Sequence, residues 1–506
     1  MPLLLDDDER AQLAWPETLP DDLDCGSPIP TRPMSSDEFM PGARSVRQCE
    51  LEARIRDYGE TFARHQGLTR RRFFQTASGM AAAFLAMNDT FGPLFGVTRA
   101  EAATPEQADA RAKALSGQFV MDMHTHFLHD QTRLEGFVRS REAVGRAGWN
   151  SALAGKEQSL EDLKFANYFK EVFLDSDTKM ALISGSASYE PIDWFLSNAQ
   201  KRDARARINE MTGGSKRAFS HLIFTPGKPG ALERFEQELV ELKPDSIKGY
   251  TIGDNTNKPM SKWPWRMDDE QLAYPYYERA QKAGIRNICV HKGLFPPHTE
   301  RRYPHLLGYS HVADVAQAAK DWPQLNFIIY HSAYRHAAGG RTEEAWAQAE
   351  RTGRVEWVND LADIPQAHGV TNVYGDLGQI FAQSTMADPR LAAFMLGSLI
   401  KGLGAERVVW GTDAIWTGSP QWQIEALRRL EIPEAMQQRH GFTPLGEADG
   451  PVKRAIFGEN NARLYEITPA QRAALAGDRF AVARAAYEAE GPSRSNRTWG
   501  YVRRVG

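Results

Sequence analysis

Two histidines stand one residue apart in the stretch MDMHTHF, which begins at Met121. The apolar residues before them predict a β-strand, and alternation along a strand sends His124 and His126 to the same face. Two imidazoles that point to one place can share a divalent metal ion. An HxH pair is a weak signal by itself, so the prediction depends on the rest of the chain.

Three other apolar runs also end in residues that can bind a metal ion or move a proton. The runs ICVH, IIYH and VVWGTD place His291, His331 and Asp413 directly after predicted strands. A buried imidazole or carboxylate is costly in such a position unless something binds it. The four strand ends together therefore predict one shared site.

Eight short apolar runs alternate with amphipathic helical segments, which is typical of repeated strand–helix units around a parallel sheet. The predicted strands begin at Phe119, Lys179, Phe219, Ser246, Arg286, Asn326, Asn372 and Arg407. Predicted helices include 231–242, 269–283, 312–320 and 421–430, and long loops are expected at 127–177 and 251–267. Eight units predict an α/β fold, a (β/α)8 TIM barrel over residues 119–467, with its active site at the C-terminal ends of the strands.

Composition and charge narrow the classes of partner. The chain has 506 residues, 42% of them hydrophobic, and a formal net charge of −4. This balance offers no basic field for a phosphate backbone, so nucleic acid is not an expected partner. No apolar run approaches the roughly 20 residues that span a bilayer, so stable membrane insertion is not expected. We expect the protein to act on a small-molecule substrate. The sequence is compatible with either a monomer or a homo-oligomer.

The regions outside the barrel carry a targeting signal or structural extensions. Residues 1–68 predict an irregular arm that ends in one helix, and residues 468–506 form a C-terminal extension. In residues 69–103, Arg70 and Arg71 precede an apolar stretch and then small residues, which resembles a twin-arginine export signal. This pattern predicts a periplasmic protein cleaved after about Ala102. A basic amphipathic helix of a cytoplasmic protein is the alternative.

The order of the strand-end residues resembles the amidohydrolase superfamily, in particular the amidohydrolase-related branch that includes aminocarboxymuconate-semialdehyde decarboxylase. That branch has HxH on its first strand, one histidine each on the fifth and sixth, and an aspartate in a GTD context on the eighth. This chain has the same order, with Gly411 and Thr412 before Asp413. It also has FGENNARLYEI from Phe457, which is similar to the closing helix of the family. The resemblance spans about residues 119–467.

The resemblance also implies roles for these residues. It implies that one divalent metal ion, Zn²⁺ with Mn²⁺ as the alternative, is bound by His124, His126, His291 and Asp413. His331 would transfer protons, and Asp413 would also take part in proton transfer. Binuclear relatives carbamylate a lysine at the position of Lys248, but the single-metal branch does not need it, and we interpret Lys248 as structural. Asp376, after the seventh strand, is also interpreted as structural.

The sequence is compatible with three functions. The first is hydrolysis of an amide, a lactone or a related bond, and the second is non-oxidative decarboxylation of an aromatic or unsaturated acid. The stretch HTHFLHD lacks the proline that the family's decarboxylases often carry after HxH, which favours the hydrolase. Lys292, Arg335 and Trp416 are the predicted substrate contacts, and they suit an aromatic or carboxylated substrate. A non-catalytic metal-binding barrel is the third alternative.

Overall fold

The computed structural model describes most of the chain, namely residues 4–13, 27–31, 43–132, 134–148, 154–155, 160–186, 194–253, 262–295, 297–335 and 341–490. Parts of the predicted N-terminal arm, of the loops 127–177 and 251–267 and of the C-terminal extension lie outside these residues. The predicted barrel falls almost entirely within them.

Eight parallel strands follow one another around a single sheet in chain order. They are β1 (Met121–Thr125), β2 (Met180–Ile183), β3 (Ala218–Ile223), β4 (Ser246–Tyr250), β5 (Asn287–His291), β6 (Asn326–Tyr330), β7 (Val373–Asp376) and β8 (Val408–Val409). The last strand meets the first just beyond β8, where Asp413 N donates to His124 O at 2.7 Å and Thr125 pairs with Ala414. The predicted barrel is confirmed, and each strand overlaps its predicted run.

A helical region precedes the barrel. Its helices are α1 (Asp7–Ala11), α2 (Val46–His65), α3 (Arg70–Phe73), α4 (Ala77–Phe91), α5 (Arg99–Ala103) and α6 (Pro105–Leu115). Helix α4 is the apolar part of the predicted signal, and its Ala82 and Phe84 are fully buried. After it, Gly96 N donates to Arg429 O at 2.7 Å, so the chain is bonded to the outer layer of the barrel.

Helices between the strands form the outer layer of the barrel. They are α7 (Glu135–Arg146), α8 (Phe165–Phe169), α9 (Asn198–Met211), α10 (Ala231–Leu242), α11 (Tyr274–Lys282), α12 (Pro297–Arg302), α13 (Leu307–Ser310), α14 (Val315–Asp321), α15 (Arg341–Thr352), α16 (Val358–His368), α17 (Ile380–Ala387) and α18 (Pro389–Leu403). After β8 come α19 (Gln421–Arg429), α20 (Glu434–His440), α21 (Pro451–Arg454), α22 (Asn460–Leu464), α23 (Pro469–Ala474) and α24 (Arg479–Ala489). Within the described part of the chain, no helix is both long and apolar enough to cross a bilayer.

Two helices show how far local pattern predicts an element. Helix α10 has the predicted bounds, and its Phe235, Leu239 and Leu242 are buried on one face because they recur at helical spacing. Helix α11 begins at Tyr274, five residues later than predicted. The side chain of Asp269 accepts from the N–H groups of Gln271 and Leu272, which stabilises a turn where a helix was expected.

Candidate metal centre

Three side chains meet where β1 and β8 end, at the C-terminal mouth of the barrel. The Nε2 atoms of His124 and His126 lie 3.3 Å and 3.1 Å from Oδ1 of Asp413. All three residues are at most 2% exposed. Their donor atoms lie within 4.8 Å of one another, so one ion can contact all of them. The predicted pair of β1 histidines and the aspartate after β8 are therefore together in the fold.

Asp376 determines which nitrogen of His124 carries the proton. Its Oδ2 lies 2.8 Å from His124 Nδ1 and also accepts the backbone N–H of His331 at 3.3 Å. Because this carboxylate oxygen accepts, His124 Nδ1 donates and the lone pair is left on Nε2. That lone pair faces the carboxylate of Asp413 in a buried site, and two electron-pair donors without a hydrogen between them repel. A divalent cation removes this conflict, so the residues fit a metal ion.

Two further histidines flank this group. The ring centroid of His331 lies 5.0 Å from that of His124, and the His291 ring lies 4.7 Å from the His331 ring. His331 Nδ1 donates to Gly378 O at 2.9 Å, so Nε2 is its proton-accepting atom. His291 stacks on Tyr250, with 5.0 Å between the ring centroids. Among the described residues, His331 belongs to a second compact group with His124 and Asp376, whereas His291 belongs to neither group and lies beside His331.

Burial controls the charge of these groups. It lowers the pKa of His124 well below its ordinary value and, together with the charge of Lys248, lowers the pKa of His331 to about 3. Burial also raises the pKa of Asp376 to about 7 and that of Asp413 well above its ordinary value. The two imidazoles are therefore neutral in the folded chain, which is the form of histidine that binds a metal ion.

A buried cation lies beneath the site. Lys248 is fully buried in β4, and its ammonium lies 3.4 Å from the ring centroid of Tyr330. The hydroxyl of Tyr330 donates to Met123 O at 2.8 Å, which connects this ring to β1. The charge of Lys248 opposes burial by lowering the pKa of Asp413. The charge of Lys248 therefore contributes to the electrostatics of the site.

One of the three predicted substrate contacts lies at this group. The indole of Trp416 stacks on His126, with ring centroids 5.5 Å apart and planes inclined by 20°. Phe195, which follows β2, packs its ring edge-on against both, 5.1 Å from the Trp416 ring and 5.4 Å from the His126 ring. Sequence reasoning missed Phe195, since nothing in its local sequence points to this contact. The two aromatic rings form one wall of the site.

The other two predicted substrate contacts, Lys292 and Arg335, have charged partners within the protein. The ammonium of Lys292 donates to both carboxylate oxygens of Asp314 at 2.8 Å and to Tyr309 O at 2.7 Å, and Lys292 is fully buried. Its three hydrogens are all used within the protein, so it has no donor for a substrate. The two terminal nitrogens of Arg335 pair with Glu300 and Glu356 in the same way. Neither cation belongs to the site proposed below.

Two aspartates of the site have clear partners that the sequence did not reveal. Asp376 was interpreted as structural, although it follows β7 just as the other site residues follow their strands, and it bonds the ring of His124 directly. Asp122 accepts the backbone N–H groups of His124 at 3.1 Å and of Thr412 at 3.0 Å. Asp122 therefore ties β1 to the segment after β8 and keeps His124 close to Asp413.

The chain is similar to a protein family and to several solved structures. The family model described as Amidohydrolase matches residues 121–467. An uncharacterized TIM-barrel protein from Bordetella bronchiseptica is 14% identical, with 70% of this chain and 99% of that chain covered and a TM-score of 0.43. A 5-carboxyvanillate decarboxylase from Sphingomonas paucimobilis is 14% identical, with 69% and 100% covered and a TM-score of 0.40. An amidohydrolase from Burkholderia multivorans is 12% identical, with 69% and 100% covered and a TM-score of 0.38. No curated protein matches the chain.

Proposed function

The chain belongs to the amidohydrolase family, whose model matches more than half of it, and we propose that it is a metal-dependent hydrolase of a small molecule. One observation carries the proposal, namely that two buried imidazole nitrogens face the carboxylate of Asp413 at 3.3 Å and 3.1 Å. Such a set of donors suits a cation and leaves coordination positions for a substrate and water.

The ligand set of the proposal is His124, His126 and Asp413, with His291 as a fourth donor. Zn²⁺ is the proposed ion because neutral imidazoles and one carboxylate suit it, and Mn²⁺ is the alternative. When bound, such an ion polarises a substrate carbonyl and makes a coordinated water acidic near neutral pH. The hydrogen bond from His124 Nδ1 to Asp376 supports the proposal because it presents Nε2 of His124 as a ligand.

Proton transfer is assigned to His331 in this proposal. Its Nδ1 donates to Gly378 O, and its low pKa keeps Nε2 unprotonated at neutral pH. A neutral imidazole in this position takes a proton from the attacking water and delivers it to the leaving group. Asp413 is a second proton carrier next to the same water. Trp416 and Phe195 exclude bulk solvent on the side of His126 and provide a flat apolar wall for the substrate.

The same residues also suit a decarboxylase. The wall formed by Trp416 and Phe195 favours this alternative, because an aromatic acid stacks well on flat rings. In that reaction, an ion held by these residues would contact two oxygens of the substrate, and His331 would pass a proton from water to the carbon that loses CO₂. The substrate would lose CO₂ rather than gain water, so the products separate the two activities.

The test combines metal analysis with turnover. Purified protein is loaded with Zn²⁺ or Mn²⁺ and assayed on a panel of lactones, amides and aromatic acids, with water addition and CO₂ release followed separately. Hydrolysis of a lactone or amide supports the main proposal, and CO₂ release supports the alternative. Stoichiometric metal without turnover on the whole panel would favour the non-catalytic barrel. Absence of bound metal would contradict all three.

For the location of the protein, we propose export by a twin-arginine route, with Arg70 and Arg71 as the recognised pair. Because Phe84 and Ala102 are buried, cleavage after Ala102 would remove helix α4 and uncover apolar barrel surface. We therefore expect the exported protein to keep these residues. N-terminal sequencing of protein from separated cell fractions tests this, with Arg70→Lys and Arg71→Lys together as the comparison. Cytoplasmic protein that the double substitution leaves unchanged would contradict export.

A further inference from the structure

A second cavity lies at the opposite end of the barrel from the histidines. Its volume is about 830 Å³, which is within the range of ligand pockets. Its lining includes Phe119, Lys179 and Arg217, which lie one or two residues before β1, β2 and β3. These are the N-terminal ends of the strands, whereas His124 and His126 lie at the C-terminal end. The cavity is therefore separate from the candidate metal centre.

Regions outside the family match complete the walls of this cavity. Met80 of α4, Ala112 of α6 and Ala481 of α24 line it together with barrel residues. The family model covers residues 121–467 only, so these three side chains come from the two extensions of this chain. Ligand pockets often lie where separate structural units meet. The cavity is thus a feature that the extensions add to the common barrel.

Lys179 is a cation in the wall of this cavity that forms no ion pair with the described residues. Among the described residues, the ammonium of Lys179 has neither an ion pair nor a hydrogen bond, although the residue is mostly buried. The neighbouring cations are already paired, Arg217 with Asp478 at 2.6 Å and Arg484 with Asp177 at 2.7 Å. Burial and the charge of Arg484 lower the pKa of Lys179 to about 8. The charge of Asp177 raises this pKa only in part, and Asp177 is already paired with Arg428 and Arg484, so Lys179 has no ion pair within the described part of the chain.

Aromatic and aliphatic side chains form the apolar part of the wall, which also carries other charged residues. Phe74 and Met80 contribute from the N-terminal helices, and Phe173, Trp422 and Phe480 contribute from the barrel side and α24. A cavity that combines a mostly buried cation without an ion pair with aromatic and aliphatic side chains suits a ligand with an anionic head and an apolar body. We propose that this cavity is a second ligand site, which binds an organic anion with its charged head at Lys179 and its apolar part among these side chains.

The proposal is tested by titrating the full-length, metal-loaded protein with decane-1-sulfonate in a calorimeter. A sulfonate is chosen because it pairs with an ammonium but is a poor ligand for a catalytic metal ion. Decan-1-ol, with the same chain and no charge, is the matched probe. We expect decane-1-sulfonate to bind more tightly than decan-1-ol, because only the sulfonate can pair with Lys179.

Two substitutions and one control locate the binding. Lys179→Met should weaken decane-1-sulfonate binding about ten-fold or more, the factor that a hydrogen bond to a charged group corresponds to. Lys113→Met removes an exposed ammonium that lines the same cavity and should leave the affinity unchanged. Ala481→Trp fills the cavity while it keeps Lys179, and it should also weaken binding. Thermal unfolding of each variant checks that it is folded.

Several outcomes would overturn the proposal. They are equal affinity of wild type and Lys179→Met for the sulfonate, unchanged affinity in Ala481→Trp, or no binding to the wild type. His126→Ala separates this site from the metal centre, since that variant should lose metal and still bind decane-1-sulfonate like the wild type. A loss of probe binding in His126→Ala would place the probe at the metal centre instead and would contradict the second site.

Discussion

The two ends of the barrel both bury charged groups but arrange them in opposite ways. At the N-terminal end, Arg428 donates to Asp177 at 2.7 Å and to Glu425 at 2.8 Å, so cations face carboxylates. At the C-terminal end, two imidazole nitrogens face the carboxylate of Asp413, so electron-pair donors face each other. The charge of Arg428 is therefore compensated by carboxylates of the protein itself. The arrangement at the C-terminal end needs a cation from outside.

The pKa values of the acids reflect the same difference. Burial raises the pKa of Asp177 and Glu425, but the charges of Arg428 and its neighbouring arginines outweigh burial and hold both below their ordinary values. At Asp413 burial dominates, and the pKa is well above its ordinary value despite the charge of Lys248. The presence or absence of an adjacent guanidinium therefore distinguishes a structural ion pair from a ligand site.

The largest effect is expected from removing both β1 histidines. His124→Ala with His126→Ala should abolish stoichiometric metal binding and reduce turnover to background, because two of the donors are gone. His368→Ala, at the exposed end of α16, is the matched control and should keep both metal binding and turnover. Elemental analysis of the purified proteins gives the answer. Full metal content in the double variant would rule out this assignment of the metal centre.

His331→Ala should separate metal binding from catalysis. We expect this variant to keep its metal ion while turnover falls about 100-fold to 10,000-fold, the usual contribution of a general acid or base. Metal content and the rate on the substrate found in the panel are measured on the same sample. A rate close to that of the wild type would exclude His331 from proton transfer, and loss of metal would make it a ligand instead.

Arg428→Met tests the opposite end of the barrel. It leaves Asp177 and Glu425 buried without their shared cation, which should cost about 3–5 kcal/mol in the free energy of unfolding. Arg354→Met removes the ion pairs of Arg354 with Asp360 and Asp363. Because the Arg354 side chain is 49% exposed, this should lower the free energy of unfolding by less than about 1 kcal/mol. Urea unfolding at neutral pH measures both. Similar losses in the two variants would show that burial does not decide the strength of these pairs.

The same pairs set a pH dependence whose direction follows from the lowered pKa values. Asp177 and Glu425 have folded pKa values below the ordinary 3.8 and 4.5, so the unfolded chain takes up protons first as the pH falls. Their contribution is present above those ordinary values and is lost as the pH falls through the folded ones. Between pH 7 and pH 3, the wild type should therefore lose more stability than Arg428→Met, which urea titrations at both pH values measure.

The smallest effect concerns the hydrogen bond between Asp376 and His124. In Asp376→Asn, the new amide can donate to Nδ1, which moves the hydrogen of His124 to Nε2 and blocks that atom as a ligand. Changes of this kind weaken metal binding about 10-fold to 100-fold. Asp314→Asn is the control, because Asp314 is equally buried but pairs with Lys292 and does not contact the ring of His124. Competition with a chelator measures the affinities, and equal values for both variants would contradict the role of Asp376.

Much of the fold and part of the site could be predicted because their signals are local. An apolar run occupies a few neighbouring residues, and eight such runs that alternate with helical segments predict a barrel. A His or Asp directly after some of these runs is an equally local signal. His124, His126 and Asp413 meet as that pattern implied. The start of α11 could not be predicted in this way, because a single aspartate side chain stabilises a turn at Asp269.

The sequence by itself determined which residues follow the strands, because strand period and apolar burial act between near neighbours. Only the tertiary structure decided what each of them contacts. Lys292 follows β5 as directly as Asp376 ends β7, yet its partner Asp314 lies 22 residues away and takes it out of the site. Likewise, the composition of α4 suits either an export signal or a packed helix, and the barrel surface that covers Phe84 is assembled from residues far along the chain. Contacts between distant residues depend on the closed barrel, which no local pattern contains.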